Sequence, residues 1–180
     1  MALSATVYHF TVNLSDVDRG VYEALEIKVA RHPSEADEYM VARVLAYCLE
    51  YTEGIAFSRG GLSDPDQPPL AVRDLTGVLK AWIEIGTPDA ARLHKAAKAA
   101  PRVAVYTHKD PAQLLKQVDG ERIHRAESLE LFALDRGLIA GLVKRLDRRV
   151  TLDLSLSDGH LYATVGGETL AGEVRRLSPA

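Results

Sequence analysis

Apolar and polar side chains alternate in two runs near the start of the chain. Apolar residues occupy every second position of 8–14, and the same period of two returns at 25–29. This period is typical of a strand with one buried face. The polar stretch 15–20 between the two runs predicts a turn. We therefore expect the chain to open with a β-hairpin.

The pattern becomes helical after Ser34. Apolar residues then recur at spacings of three and four, the period of a helix with one buried face, at Met40, Val41, Val44, Leu45, Cys48 and Leu49. Ser34 is the predicted N-cap, and the helix is expected to end by Gly54. Cys48 is the one cysteine of the chain, so an internal disulfide and a cysteine-built zinc site are excluded. Its position on the apolar face predicts a buried, unreactive thiol.

The middle of the chain predicts a strand, a helix and a second strand. A loop rich in glycine, proline and aspartate covers 60–69, and an apolar run over 79–85 predicts the first strand. Thr87 is the predicted N-cap and Pro88 the first residue of a helix that runs to about residue 100. A strand follows at 103–106. Two strands joined by one helix imply a right-handed crossover and a parallel strand pair.

The end of the chain predicts a three-stranded meander. Leucines alternate with polar residues over 151–156, and turns are expected at 158–159 and 166–167. A further helix is expected after Asp110 and Pro111. No repeat or linker interrupts the sequence. We predict a single domain over residues 1–180, of the α/β or α+β class, with a mixed β-sheet flanked by helices.

Composition narrows the function classes. The chain has 180 residues, 47% hydrophobic and 26% charged, which excludes wholesale disorder and a membrane protein. The start lacks a basic region followed by an apolar run, so a cytoplasmic protein is expected. A net charge of −3 does not favour tight, non-specific nucleic-acid binding. Nucleic acid would need a local basic patch, for which 144–149 is a candidate, although such runs are more often a solvated face.

Glu84 is the most informative candidate for chemistry. It lies in an otherwise apolar strand, where a carboxylate is costly unless a cation meets it. Asp74 precedes a predicted chain reversal at 76–77 and would fall opposite Lys80, leaving a gap to Glu84. Two converging carboxylates would suit Mg²⁺ or Mn²⁺. Asp66 is the reserve ligand. The alternatives are that Asp74 is a turn residue and that Glu84 forms a salt bridge on the following helix.

Three stretches carry a resemblance to a known family. They are Arg73-Asp74-Leu75-Thr76-Gly77, Trp82-Ile83-Glu84-Ile85-Gly86, and Pro88-Asp89 followed by Arg92-Leu93-His94-Lys95-Ala96. Together with the opening hairpin, the first helix and the length, they resemble the YaeQ family over nearly the whole chain. That family is grouped by fold with the PD-(D/E)xK nucleases, so the resemblance implies a restriction-endonuclease-like fold.

The resemblance also implies a metal site. Asp74 and Glu84 match the two carboxylates that bind the divalent cation in that superfamily. A lysine is expected two residues after the second carboxylate, but Gly86 stands there. The following helix would supply it instead, with Lys95 as the leading candidate and Lys98 behind it.

Two further residues complete the implied site. Arg92, on the same helix face as Lys95, would hold a phosphate oxygen, and Glu38 resembles an accessory acidic residue. Three functions follow. The first is Mg²⁺- or Mn²⁺-dependent hydrolysis of nucleic-acid phosphodiesters. The second is a catalytically inactive nuclease-fold protein that binds or interacts. The third is hydrolysis of a nucleotide or another small phosphoester.

Overall fold

One large mixed β-sheet organises the chain, with helices on both of its faces. The computed structural model describes residues 4–58, 65–120 and 122–178. The strands of this described part are β1 (Thr6–Asp16), β2 (Val21–Arg31), β3 (Ile55–Phe57), β4 (Leu70–Arg73), β5 (Leu79–Ile85), β6 (Arg102–Thr107), β7 (Glu130–Leu134), β8 (Arg149–Ser157), β9 (His160–Val165) and β10 (Glu168–Leu177). The helices are α1 (Asp37–Leu49), α2 (Ala90–Ala99), α3 (Pro111–Gly120) and α4 (Arg136–Val143), with a short 3-10 turn at Ala126–Ser128.

The strand order joins the two ends of the sequence to its middle. It runs β2-β1-β8-β9-β10-β7-β6-β5-β4-β3. The pairs β1–β8, β5–β6 and β6–β7 are parallel, and the other neighbours are antiparallel. Strand β10 pairs with β9 over 168–173 and with β7 over 174–177, so it connects the two halves of the sheet. The chain is therefore a single α+β domain.

Two hydrophobic cores lie on opposite faces of β5, β6 and β7. The larger contains the apolar face of α1, part of α4 and the inner residues of the opening hairpin and the meander. The smaller is formed by Trp82, Leu93, Leu114 and their neighbours, under α2 and α3. Alternate residues of a strand point to opposite faces. Along β5, Ile83 and Ile85 therefore enter the first core, while Trp82 and Glu84 face α2.

Most of the predicted elements are confirmed. The hairpin, the apolar face of the first helix, the strand over 79–85 with its parallel partner, and the final meander are all present. Gly159, Gly166 and Gly167 adopt positive φ in the two predicted turns, a conformation that glycine takes without steric penalty. Part of the predicted loop at 60–69 lies outside the described residues.

Two predicted helix caps are wrong. The Ser34 hydroxyl contacts Nδ1 of His32 at 2.7 Å, so it does not cap α1, and Ala36 precedes the first helical residue. The second helix is capped by Asp89, whose Oδ1 accepts the backbone N–H of Arg92 at 2.8 Å. Thr87 leaves its hydroxyl without a partner in the described part of the chain. Asp89 is favoured over Thr87 as the N-cap because its negative charge also interacts with the positive end of the helix dipole.

The thiol of Cys48 is buried, as its position on the helix predicted. Its residue has no exposed surface, and burial raises the pKa of the thiol to about 12. Thiolate, the reactive form, is therefore scarce at neutral pH. We expect a thiol-reactive dye to leave the native protein unlabelled over hours and to label one site per chain in denaturant. Rapid labelling of the native protein would contradict this burial.

Candidate active site

Glu84 is a buried carboxylate near the end of β5. Its residue is 3% exposed, and two side-chain donors meet its Oε1, Nε1 of Trp82 at 2.9 Å and Nε of Arg92 at 2.7 Å. Burial raises the pKa of Glu84, while the charge of Arg92 opposes that rise. The salt bridge anticipated from the sequence as the non-catalytic explanation is therefore present. The backbone N–H of Ile85 also donates to this carboxylate, and neither side-chain donor is hydrogen-bonded to Oε2.

Arg92 connects Glu84 to the segment that precedes β4. Its Nη1 donates to the carbonyl oxygen of Pro65 at 3.1 Å, and its Nη2 donates to that of Gln67 at 2.9 Å. The guanidinium also lies 5.6 Å from the ring centroid of Trp82. One side chain thus holds β5, α2 and the residues on both sides of Asp66 in a fixed arrangement.

Asp66 lies against the face of α2 that carries Arg92, where it pairs with Lys95. The Lys95 ammonium forms an ion pair with Asp66, and both side chains are largely exposed. Arg92 and Lys95 are three residues apart, so they project from neighbouring turns of the helix. The reserve ligand, Asp66, therefore lies beside the Glu84–Arg92 pair.

Asp74 lies elsewhere. Its Oδ1 accepts three hydrogen bonds, from the Thr76 backbone N–H at 2.9 Å, the Thr76 hydroxyl at 2.6 Å and the Val78 backbone N–H at 3.0 Å. Lys80 lies 3.7 Å from Oδ2, near the predicted cross-strand position. These hydrogen bonds lower the pKa of Asp74. Arg73 pairs with Leu79 and Asp74 bonds to Val78, which puts Asp74 roughly 20 Å along β5 from Glu84. The structure does not bring Asp74 and Glu84 together.

This placement makes the Asp74 side chain an acceptor for the β4–β5 turn. We expect Asp74→Ala to lower the midpoint of thermal unfolding, because it removes an acceptor shared by three donors. Asp74→Asn keeps a carbonyl oxygen and should stay closer to the wild type. Differential scanning calorimetry of the two variants tests this order. A larger loss in Asp74→Asn would point instead to a role for the negative charge.

The remaining predicted site residues lie on α1 and α2 and at the end of β5. Glu38 is exposed in the first turn of α1, and the neighbouring Tyr39 is close enough to Glu84 for that charge to help burial raise the tyrosine pKa. Lys98 is exposed in the last turn of α2. At Gly86, a Cβ would lie 3.7 Å from Cε1 of His108, so this buried imidazole borders the space that a side chain at position 86 would enter.

Asp66 is the reserve ligand of the sequence prediction, after Asp74 and Glu84. The sequence places Asp74 opposite Lys80 and leaves a gap to Glu84, and the structure keeps that gap open. Antiparallel pairing sets Leu70 opposite Ile83, so the residues just before β4 are those that reach Glu84. By this register Pro69 falls opposite Glu84, and Asp66 lies three residues before it. Trp82, which the predictions did not include among the site residues, also donates to Glu84.

Three further expectations concern a metal cluster, the basic stretch 144–149 and membrane-spanning helices. Within the described residues, no group of three or more His, Cys, Asp or Glu side chains is arranged to hold a metal ion. In the basic stretch 144–149, Arg145 donates to the Gly141 carbonyl and pairs with Glu168, while Arg148 donates to the Val7 carbonyl. No helix of the described chain is both long and apolar enough to cross a membrane.

Comparison with known proteins decides the family. The sequence model described as "YaeQ protein" matches residues 1–174. The chain belongs to the YaeQ family. Among YaeQ relatives, the "Uncharacterized protein YaeQ" of Salmonella typhi is 36% identical over 163 residues, which cover 90% of each chain. The protein of the same description from Escherichia coli K12 is 35% identical over the same length and coverage.

Crystal structures of YaeQ proteins share the fold. The YaeQ protein from Pseudomonas syringae superposes with a TM-score of 0.85 at 31% identity, over 97% of this chain and 96% of the other. The YaeQ protein from Xanthomonas axonopodis pv. citri gives a TM-score of 0.87 at 29% identity, over 96% and 98%. The architecture built around β5 and α2 is therefore the YaeQ architecture.

Proposed function

We propose that this YaeQ protein acts on phosphoesters of nucleic acid as a divalent-metal-dependent, nuclease-like hydrolase with a variant PD-(D/E)xK site. The proposed placement in that superfamily carries with it a restriction-endonuclease-like fold. The observation that carries the proposal is the pairing on one helix face. Arg92 and Lys95 hold one carboxylate from a strand end, Glu84, and one from the preceding segment, Asp66.

The carboxylates of this proposal are Glu84 and Asp66, with Asp66 in the place first given to Asp74. Mg²⁺ commonly takes one or two protein carboxylates and completes its shell with water and substrate phosphate. Glu84 and Asp66 supply that number, and Oε2 of Glu84 is free of the two side-chain donors that occupy Oε1. When bound, Mg²⁺ or Mn²⁺ would lower the pKa of a coordinated water and neutralise phosphate charge.

The basic residues would exchange partners when a phosphate enters. Arg92 and Lys95 are held by carboxylates in this arrangement, and both present N–H groups that suit phosphate oxygens. Lys95 is the more exposed of the two, so we assign it the contact with the reacting phosphate. Arg92 keeps its backbone contacts and orients a non-bridging oxygen. We assign Glu38, on α1, as the accessory acid.

Calorimetric titration with Mn²⁺ tests the site, alone and with a phosphorothioate oligonucleotide present. We expect saturable binding by the wild type and by Asp74→Asn, the matched control in which a distant carboxylate is removed. Glu84→Gln should abolish binding, and Asp66→Asn should weaken it at least tenfold. Absence of binding under both conditions, or equal binding by all four proteins, would contradict the proposal.

A second candidate function is a non-catalytic binding protein of the same fold. It is favoured by the way Trp82 and Arg92 already satisfy Glu84, and by Gly86 at the position of the expected lysine. This function predicts oligonucleotide affinity that is equal in Mg²⁺ and in EDTA and depends on Lys95. Fluorescence anisotropy in the two buffers separates the candidates. Cleavage of a mononucleotide ester but not of an oligonucleotide would instead favour a small phosphoester substrate.

A further inference from the structure

We propose that a cleft on the other face of the sheet binds a small organic anion with a flat apolar body. The cleft has a volume of about 300 Å³. It lies between the end of α1, the β1–β2 and β8–β9 turns, and the strands β6, β7 and β10. The proposal does not depend on the function assigned to Glu84, because that residue faces α2 and does not line this cleft.

The cleft has an aromatic wall. The rings of Tyr106 and Phe132 stack with their centroids 4.8 Å apart and their planes 17° apart. Leu49, Leu156 and Val174 extend this apolar surface. Tyr106 is buried, whereas Phe132 is half-buried. A flat apolar group can therefore pack against the exposed part of Phe132.

The carboxylate oxygens of the cleft already accept hydrogen bonds from groups of the protein. Asp16 is fully buried and accepts from the backbone N–H of Arg19 at 3.1 Å and from its Nε at 2.7 Å. Asp18 accepts two backbone N–H groups of the β8–β9 turn, at 2.6 and 3.0 Å. Both oxygens of Glu130 accept from Arg102. Glu50, the fourth acidic side chain of the lining, accepts from Nη2 of Arg102 at 2.8 Å. These carboxylates are therefore occupied within the protein and have little capacity to receive a cationic ligand.

Every side-chain nitrogen of Arg19 already donates within the protein, whereas Arg102 and Arg176 retain N–H groups. Arg102 uses Nε and Nη2 toward Glu130 and Glu50, while its Nη1 takes part in no hydrogen bond within the described structure. Arg176 is 61% exposed and lies 5.5 Å from the Phe132 ring centroid, with its Nη1 3.7 Å from Glu130. A guanidinium presents five N–H groups in a fork that matches carboxylate or phosphate. The groups of the cleft that can still form hydrogen bonds are therefore N–H donors, and they lie in the same cleft as the Phe132 ring.

This combination selects the ligand class. An anionic head can accept from Arg176 and Arg102 while a flat body packs on Phe132 and the neighbouring aliphatic side chains. A bare phosphate would lose the apolar contact, and a neutral ring would lose the charge-assisted hydrogen bonds. Carboxylate and phosphate heads share this chemistry, so the test includes one probe of each kind.

Titration followed by amide NMR can test the site with phenyl phosphate and benzoate as probes. Inorganic phosphate and benzyl alcohol are the comparison ligands, since each carries only half of the proposed chemistry. Arg176→Gln removes the exposed guanidinium. Arg175→Gln is its matched control, because Arg175 is also exposed and lies next along β10, where strand alternation directs it to the opposite face.

We expect saturable binding of at least one ring-bearing anion, with shifts at the amides of Gly159 and Val174. The probe that binds identifies the head group. Arg176→Gln should weaken binding at least fivefold and Arg175→Gln less than twofold, with thermal unfolding of both variants close to wild type. The comparison ligands should bind at least tenfold more weakly. No saturable binding by either probe, equal effects of the two variants, or shifts confined to other residues would overturn the proposal.

Discussion

Replacement of Arg92 by methionine is expected to lower the free energy of unfolding by about 3–5 kcal/mol at pH 7.5, the cost of leaving one member of a buried ion pair without its partner. Glu84 would keep its negative charge in a nearly closed environment with only the Trp82 indole as a side-chain donor. The same substitution removes the hydrogen bonds to Pro65 and Gln67, so the segment carrying Asp66 would also lose its anchor.

The pH dependence of this loss identifies its cause. Burial already raises the pKa of Glu84 above its ordinary 4.5, and removal of the Arg92 charge would raise it further. A carboxyl group whose pKa is higher in the folded state binds more protons when folded, so its contribution to stability falls as pH rises above 4.5 toward the folded value. Arg92→Met should therefore be less destabilised at pH 5 than at pH 8.

Urea denaturation at the two pH values is the measurement, with Lys95→Met as the control. The Lys95–Asp66 pair is largely exposed, so its removal should cost less than about 1 kcal/mol and vary little with pH. Adding Glu84→Gln to Arg92→Met removes the buried charge and should recover part of the loss. Equal losses in Arg92→Met and Lys95→Met would mean that the Glu84 pair is not the buried partner described above.

Replacement of Gly54 by alanine is the second substitution expected to have a large effect. Gly54 has a φ of +92°, and a Cβ there would lie 2.0 Å from the carbonyl oxygen of Arg73, a backbone atom that cannot move aside cheaply. The Arg73 backbone N–H also donates to the Gly54 carbonyl at 3.1 Å. Backbone strain and steric overlap together predict a loss of roughly 2–5 kcal/mol.

Gly77 provides a matched control for this substitution. It has a similar φ of +87°, but a Cβ there would meet nothing within 4 Å. Gly77→Ala should therefore show the backbone strain alone, roughly 1–2 kcal/mol. The difference between the two variants in urea midpoint, at an unchanged denaturant slope, measures the clash between β3 and β4. Indistinguishable midpoints would show that the Gly54–Arg73 contact relaxes at little cost.

The sequence predicted elements well where local periodicity decides them. The opening hairpin and the strand over 79–85 follow from alternation within a few residues, and the turn at 158–159 follows from its glycine. The residues that cap the helices were harder to predict from the sequence. Ser34 and Asp89 are both good capping residues, and the outcome depends on which oxygen reaches a helix N–H in three dimensions.

Only the part of the candidate site that depends on residues close in sequence was predicted correctly. Glu84, Arg92 and Lys95 are joined by a short strand–helix connection, so their proximity could be anticipated from spacing. The second carboxylate depends on the register between β4 and β5, which the turn and the bulge near Arg73 determine together. Two aspartates eight residues apart were both plausible, and only cross-strand pairing separates Asp66 from Asp74.

The parallel pairing of β1 with β8 has a consequence for synthesis of the chain on the ribosome. Asn13 lies beside Asp153, which is 140 positions further along the chain, and their side chains hydrogen-bond at 2.8 Å. The opening hairpin emerges early, yet one edge of β1 has no partner until most of the polypeptide has been translated. Closure of so long a loop is slow, and an unpaired strand edge favours association between nascent chains. One edge of β1 therefore stays open to association with other chains for as long as β8 is missing.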